Sequence, residues 1–142
     1  MLTSEDGTSK YNEDWLGTVR GGSSCVLRPR DTGEVSSILA HCAARRLAIC
    51  PQGGNTGLVG GSVPVFDEVV VSTELMTDIE TIDSGSGVAV CQSGVVLDSL
   101  DQALAEHGLM VPLDLGAKVM IMTLDCCVSC EMFASLERNK LN

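Results

Sequence analysis

Between two apolar runs, Ala48-Ile49-Cys50 and Val69-Val70-Val71, the chain carries the uncharged stretch Pro51-Gln52-Gly53-Gly54-Asn55-Thr56-Gly57-Leu58-Val59-Gly60-Gly61-Ser62-Val63-Pro64. Its five glycines leave no Cβ in the way, so backbone N–H groups can turn toward one point and a ligand can come close to the chain. The chemistry this suits is the holding of an anion, a phosphate above all, by amides with help from Asn55, Thr56 and Ser62. Neither G-x-G-x-x-G nor Gly-Lys-Ser/Thr occurs, which excludes the Rossmann fingerprint and the P-loop. A glycine-rich run can also be no more than a surface loop of turns. Strands expected on both sides brace this one and make it a site candidate.

The elements that must position the loop read as follows. Ser24 to Arg28, closed by Pro29, is a short first strand. Asp31 with Glu34 three residues on has the form of a capping box, and Val35, Ile38, Leu39 and Cys42 fall at i, i+3, i+4 and i+7 of one helix ending near Arg45-Arg46. After the loop, Val69 to Ser72 is a strand. Residues around Ile79 and Ile82 pair through a Gly85-Ser86-Gly87 turn with Val88 to Cys91 as a hairpin. A second helix runs from Val96 to Glu106, with Leu97, Leu100 and Leu104 on one face and Gly108 as its stop, and Leu109 to Pro112 is the last short strand. The order β-α-β-loop-β-β-β-α-β joins a crossover unit to a hairpin, which argues for an α+β sandwich over a doubly wound sheet. Residues 1–24 are polar, with Tyr11 and Trp15 as their large anchors, and are expected to wrap the body as extended chain or to form a loose terminus. The two histidines, His41 beside the first helix's apolar stripe and His107 in the last turn of the second, read as a solvated side chain and a helix-end partner.

Composition bounds the rest. A length of 142 residues suits one domain, and 44% hydrophobic with 3% aromatic residues implies an aliphatic core. Nine Lys+Arg against 19 Asp+Glu give a net charge of −10 and no basic stripe, which argues against a nucleic-acid partner. Seven cysteines is an odd number, and those at 25, 42, 50 and 91 lie in apolar segments, as reduced thiols packed in a core do. No apolar run reaches the roughly 18 residues of a membrane span, and Met-Leu-Thr-Ser-Glu-Asp-Gly has neither a signal core nor a presequence pattern.

Five strings go further: Tyr11-Asn12-Glu13-Asp14-Trp15, Gly21-Gly22-Ser23, Val26-Leu27-Arg28-Pro29, Pro51 to Asp67, and Pro112-Leu113-Asp114-Leu115-Gly116-Ala117-Lys118. With them the chain resembles the flavin-binding domain shared by vanillyl-alcohol oxidase and p-cresol methylhydroxylase, and within that family the D-2-hydroxyglutarate dehydrogenases. The resemblance implies the first lobe of a two-lobed FAD-binding domain of the p-cresol methylhydroxylase type, truncated. It divides the chain into an extended segment 1–24, the incomplete domain 25–118 and a divergent tail 119–142. It implies FAD held non-covalently by Pro51, Gln52, Gly53, Gly54, Asn55, Thr56 and Gly57, with Gly60, Gly61 and Ser62 closing the loop and Pro112, Leu113 and Gly116 flanking the cofactor from the other side. Relatives that tether flavin covalently often carry a histidine where Asn55 stands, and a carboxamide cannot make that bond. The implied reaction is oxidation of a D-2-hydroxy acid, D-2-hydroxyglutarate to 2-oxoglutarate, with electrons passing to a flavoprotein acceptor in the mitochondrion.

The resemblance stops after Lys118. Where the family continues with a second glycine-rich flavin loop, this chain reads Val119 to Cys130 and ends at Asn142, as an alternative transcript or a mispredicted exon would produce. The substrate lobe is absent from the sequence with its metal ligands, so no catalytic or metal-binding residue carries over and the fragment itself is expected to be inactive. Cys126, Cys127 and Cys130 lack the spaced fourth ligand of a zinc site. The alternatives are a non-catalytic module binding an anion or a partner, and an unstable product with no function.

Overall fold

The computed structural model describes residues 1–112 and the strands 129–133 and 135–136. Its first sheet is parallel. Strand β1 (Val26–Leu27) and strand β2 (Ile49–Gln52) both pair with β3 (Val69–Ser72), giving the order β1-β3-β2 with Val26 opposite Val70 and Gln52 opposite Ser72. The central strand, Val-Val-Val-Ser, is β-branched and almost wholly buried, as a strand flanked on both edges should be. Parallel neighbours need a crossover. Helix α2 (Thr32–Arg45) carries the chain from β1 to β2 on the other edge, and the glycine stretch joins β2 to its neighbour β3.

The capping box forms as the spacing predicts, with one change. Asp31 accepts from the Glu34 amide at 2.8 Å, while the Glu34 carboxylate reaches back to the Arg30 amide, one residue beyond the cap. Val35 and Cys42 are buried and Leu39 is exposed, so the inward stripe is narrower than the periodicity suggests. The helix closes on Arg46 in the left-handed region, φ 55, where glycine is the usual choice.

The second sheet is antiparallel. Strands β4 (Ile79–Asp83) and β5 (Val88–Gln92) form the expected hairpin, with a register shift between Ile79 and Thr81. Helix α3 (Leu97–Glu106) buries Leu97, Leu100 and Leu104 against Ala89, Cys91, Val95, Leu109 and Val111. His107 stands at its C-cap and Gly108, at φ +72, turns the chain into β6 (Leu109–Met110). Two strands come from the tail: β7 (Ser129–Phe133) pairs with β5 and places Cys130 opposite Cys91, and β8 (Ser135–Leu136) pairs with β6. Cys126 and Cys127 lie outside the described residues. Among the described residues no helix is long and apolar enough to cross a membrane.

The N-terminal segment departs from the extended expectation. Leu2 bridges to Val26, after which helix α1 (Glu5–Thr8) and a 3-10 turn (Ser9–Tyr11) coil the chain over the first sheet. Tyr11, 3% exposed, packs with Val26, Cys50 and Val70. Trp15 is not an anchor, being 71% exposed. The turns are short and carry no apolar period, so no sequence pattern announces them.

Candidate functional site

The glycine stretch begins two residues later than its composition suggests, because Pro51 and Gln52 complete β2. Proline is tolerated there because β2 is an edge strand. Ala48 and Gln52 turn their carbonyls to the Val69 and Thr73 amides, so the intervening odd position faces away from β3 and needs no N–H. The ladder thus delivers the chain to Gly53 with Gln52 buried beneath the loop.

Three side chains then fix the loop. Nε2 of Gln52 donates to the carbonyls of Tyr11 at 3.0 Å and Ser62 at 2.8 Å, tying the two ends of the loop to the N-terminal segment. Asn55 takes the left-handed conformation, φ 54, and its Nδ2 donates to the Glu13 carbonyl at 2.7 Å. The Ser62 hydroxyl donates to Oδ1 of Asn55 at 2.7 Å. Asn55 and Ser62, expected to meet an anion with their side chains, are thereby engaged with each other and with the backbone. What the loop still offers to a ligand is its main chain and the side chain of Thr56, which makes no hydrogen bond among the described residues.

No hydrogen bond among the described residues uses the amides of Gly53, Gly54, Asn55, Thr56 or Gly57, and residues 53–56 are half-buried. Donors in such a place want a partner. A Cβ on Gly57 would meet nothing nearer than Ser62 Oγ at 4.0 Å, and one on Gly61 nothing within 4 Å. Internal packing therefore does not demand glycine at these two exposed positions. Gly21 is the contrast, where a Cβ would stand 2.1 Å from the Pro64 carbonyl and the neighbouring Gly22 amide bonds to that carbonyl at 2.9 Å. Beside the loop a cleft of about 580 Å³ is lined by Lys10, Glu13, Asp14, Trp15, Leu16, Gly17, Gly54 and Asn55. A diphosphate with unengaged amides beneath it and an open cleft alongside fits the residues present.

Support comes from a hub that the sequence does not reveal. Glu74, just past β3, accepts from Tyr11 Oη, from Lys10 Nζ at 3.0 Å and from Arg28 Nη1 at 3.0 Å. Burial alone would raise its pKa, but the hydrogen bonds from Tyr11, Lys10 and Arg28 outweigh it and hold the carboxyl below the usual range. Burial, and after it the bond to Glu74, pushes the Tyr11 phenol up. Asn12 adds a second tie, accepting from the Ser23 amide at 2.8 Å and donating to the Ser23 carbonyl at 2.9 Å.

Of the residues singled out from the sequence, the structure gathers Pro51, Gln52, Gly53, Gly54, Asn55, Thr56, Gly57, Gly60, Gly61 and Ser62 in this one strand end and loop. Pro112 is exposed just beyond β6, with no hydrogen bond to the loop among the described residues, and Leu113 and Gly116 lie outside those residues. His41 and His107 are exposed and apart from the cleft.

Comparison with known proteins places these features. The FAD-binding domain family matches residues 23–123. The mitochondrial D-2-hydroxyglutarate dehydrogenase of Danio rerio is 54% identical over 117 residues, which are 82% of this chain and 22% of that protein. The D-2-hydroxyglutarate–pyruvate transhydrogenase of Saccharomyces cerevisiae is 44% identical over 110 residues, 78% of this chain and 22% of that protein. The chain spans about a fifth of the length of the curated relatives it matches. Among solved structures, 6-hydroxy-D-nicotine oxidase from Arthrobacter nicotinovorans superposes with a TM-score of 0.72 at 22% identity, over 84% of this chain and 26% of that one. At that identity the likeness shows the fold alone.

Proposed function

This chain belongs to the FAD-binding domain family, and from that premise we propose that its glycine loop holds the diphosphate of FAD, non-covalently, as the N-terminal part of a mitochondrial flavoprotein dehydrogenase oxidising D-2-hydroxyglutarate to 2-oxoglutarate. The observation that carries the reading is the run of amides from Gly53 to Gly57, bonded to nothing among the described residues inside a loop clamped at both ends. FAD supplies the hydride acceptor when bound. The chain's own residues bind and orient. The amides of Gly53, Gly54, Asn55, Thr56 and Gly57 would donate to phosphate oxygens, with Gly60, Gly61 and Ser62 closing the loop, and Pro112, Leu113 and Gly116 would flank the cofactor as the resemblance implies. Asn55 offers no nucleophile, and its carboxamide is already engaged by Glu13 and Ser62.

In this reading residues 1–24 are a strap, 25–118 the first lobe and 119–142 a divergent tail. The names of the relatives support the substrate class and the mitochondrial setting. A flavoprotein serves as electron acceptor, and the yeast relative's name, which carries pyruvate, marks the other acceptor to be tested. No residue of the 142 is assigned to substrate, so alone they bind FAD without turning over D-2-hydroxyglutarate.

The test is titration of the purified chain with FAD, followed by flavin fluorescence and competed with inorganic pyrophosphate. Saturable binding that Gly54→Val weakens at least about tenfold, equal to ~1.4 kcal/mol, is expected, and acid precipitation should release the flavin intact. Binding unaffected by Gly54→Val, or flavin retained on the denatured polypeptide, overturns the assignment.

A further inference from the structure

The turn between Glu13 and Arg20 is built with more care than its exposure explains. Asp14 and Val19 are joined from the Asp14 amide to the Val19 carbonyl at 3.1 Å, and the Gly17 amide closes on the Asp14 carbonyl at 3.0 Å. Gly17 takes φ +67. The Asp14 carboxylate accepts from the Val19 amide at 2.7 Å and from the Thr18 hydroxyl at 2.9 Å, and Arg20 pairs with Glu13 at 3.0 Å. At the tip of this rigid turn Trp15 and Leu16 are 71% and 56% exposed. A large aromatic and a leucine held out in water by so many bonds form an unpartnered apolar surface.

That surface is joined to the glycine loop. The Glu13 carbonyl at the base of the turn accepts from Asn55, and Trp15 and Leu16 line the same cleft as Gly54 and Asn55. The cleft is shallow and opens to solvent, so a ring lying in it would meet Trp15 and Leu16 on one side only. The turn also precedes residue 23, where the family match begins. We propose that Trp15, with Leu16 beside it, is the ring-binding wall of the nucleotide site, stacking on a planar heteroaromatic ring of the dinucleotide whose diphosphate lies on Gly53 to Gly57. The inference rests on the diphosphate reading of the loop and extends it to a segment outside the matched family span. An indole face accepts any such ring, since stacking asks only for a π-surface. The turn's fixed geometry lets it do so with little ordering on binding.

Trp15 is the chain's only tryptophan, so its fluorescence reports this turn alone. The intact chain is titrated with FAD, ADP, FMN and inorganic pyrophosphate, with flavin fluorescence or competition against FAD giving affinity independently. FAD should quench Trp15 saturably, and pyrophosphate should compete without quenching. Whichever of ADP or FMN reproduces the quench identifies the ring as adenine or isoalloxazine. Trp15→Ala should weaken FAD by about five- to 150-fold, the span expected for loss of one stacked ring, with pyrophosphate affinity and melting temperature unchanged, and Trp15→Phe should restore most of the loss. FAD bound equally tightly by Trp15→Ala overturns the wall and leaves the diphosphate reading standing. Loss of pyrophosphate along with FAD in that variant makes Trp15 a structural prop and also overturns it. Failure of the parent chain to bind either ligand overturns the diphosphate reading and this inference together. A Trp15 emission that changes with protein concentration, without nucleotide, assigns the surface to a second copy of the chain and overturns the wall.

Discussion

Gln52 works through a single nitrogen. Its Nε2 serves two carbonyls from a position only 2% exposed, so Gln52→Ala strands acceptors of Tyr11 and Ser62 where water reaches poorly. Each unsatisfied buried group costs about 1–3 kcal/mol. Urea unfolding should therefore show a loss of about 2 kcal/mol or more, with FAD affinity falling as the loop loosens; a variant as stable as the parent contradicts the clamp. Glu74 carries a pH signature. Its folded pKa is lowered, against burial, by bonds from Tyr11, Lys10 and Arg28. Its stabilising contribution is then complete above the unfolded carboxylate pKa, about 4.3, and is lost as pH falls through the lower folded value. Glu74→Gln should lower the melting temperature at neutral pH and converge on the parent in acid. A gap that stays constant with pH shows that the carboxylate's charge plays no part.

Among the elements, those with a period were legible and those held by long-range polar ties were not. Helix α3 follows its apolar stripe and α2 follows its own except at Leu39, the β4–β5 hairpin follows its alternation and its glycine turn, and the Asp31 cap follows from two residues. The strap of residues 1–24 has no such period. Its structure depends on pairs such as Asn12 with Ser23, Glu13 with Asn55 and Tyr11 with Gln52, far apart in sequence, so composition marks it only as polar. The loop was legible as a loop, since five glycines in an uncharged run say so, but the roles of its side chains were not. Glycine counts also do not separate space kept for a ligand from space taken by the protein. Gly94 shows the second kind, because a Cβ there would stand 1.9 Å from the Thr73 carbonyl and 2.8 Å from that of Met76. Gly94→Ala should cost several kcal/mol, at or beyond the roughly 1–3 kcal/mol of ordinary overpacking. Gly57→Ala, with no close neighbour, should shift stability by less than about 0.5 kcal/mol yet weaken FAD. Equal stability losses in the two variants contradict this division.

On the scale of the whole molecule, a chain of net charge −10 is asked to hold a dianionic diphosphate, and the means it uses should show in the salt dependence. Sites that grip phosphate with Lys and Arg release counterions or lose Coulomb attraction as salt rises, and their affinity falls. Among the described residues the cations around this loop are already paired. Lys10 is paired with Glu74 and Arg20 with Glu13, and the stretch from Pro51 to Pro64 contains no charge at all. Attraction is left to amide dipoles at short range, where screening by salt is slight, while the acidic surface as a whole repels the ligand over a distance that salt does shorten. Raising ionic strength from about 0.01 M to 0.1 M cuts the Debye length from roughly 30 Å to 10 Å. FAD affinity should therefore hold level or rise across that range, with the gain in the association rate, because long-range repulsion acts on encounter and short-range amide bonds act on release. The measurement is the FAD dissociation constant and stopped-flow association rate at several salt concentrations. A steady, several-fold weakening with added salt points to cationic side chains as the phosphate ligands and removes the amides of Gly53 to Gly57 from that role.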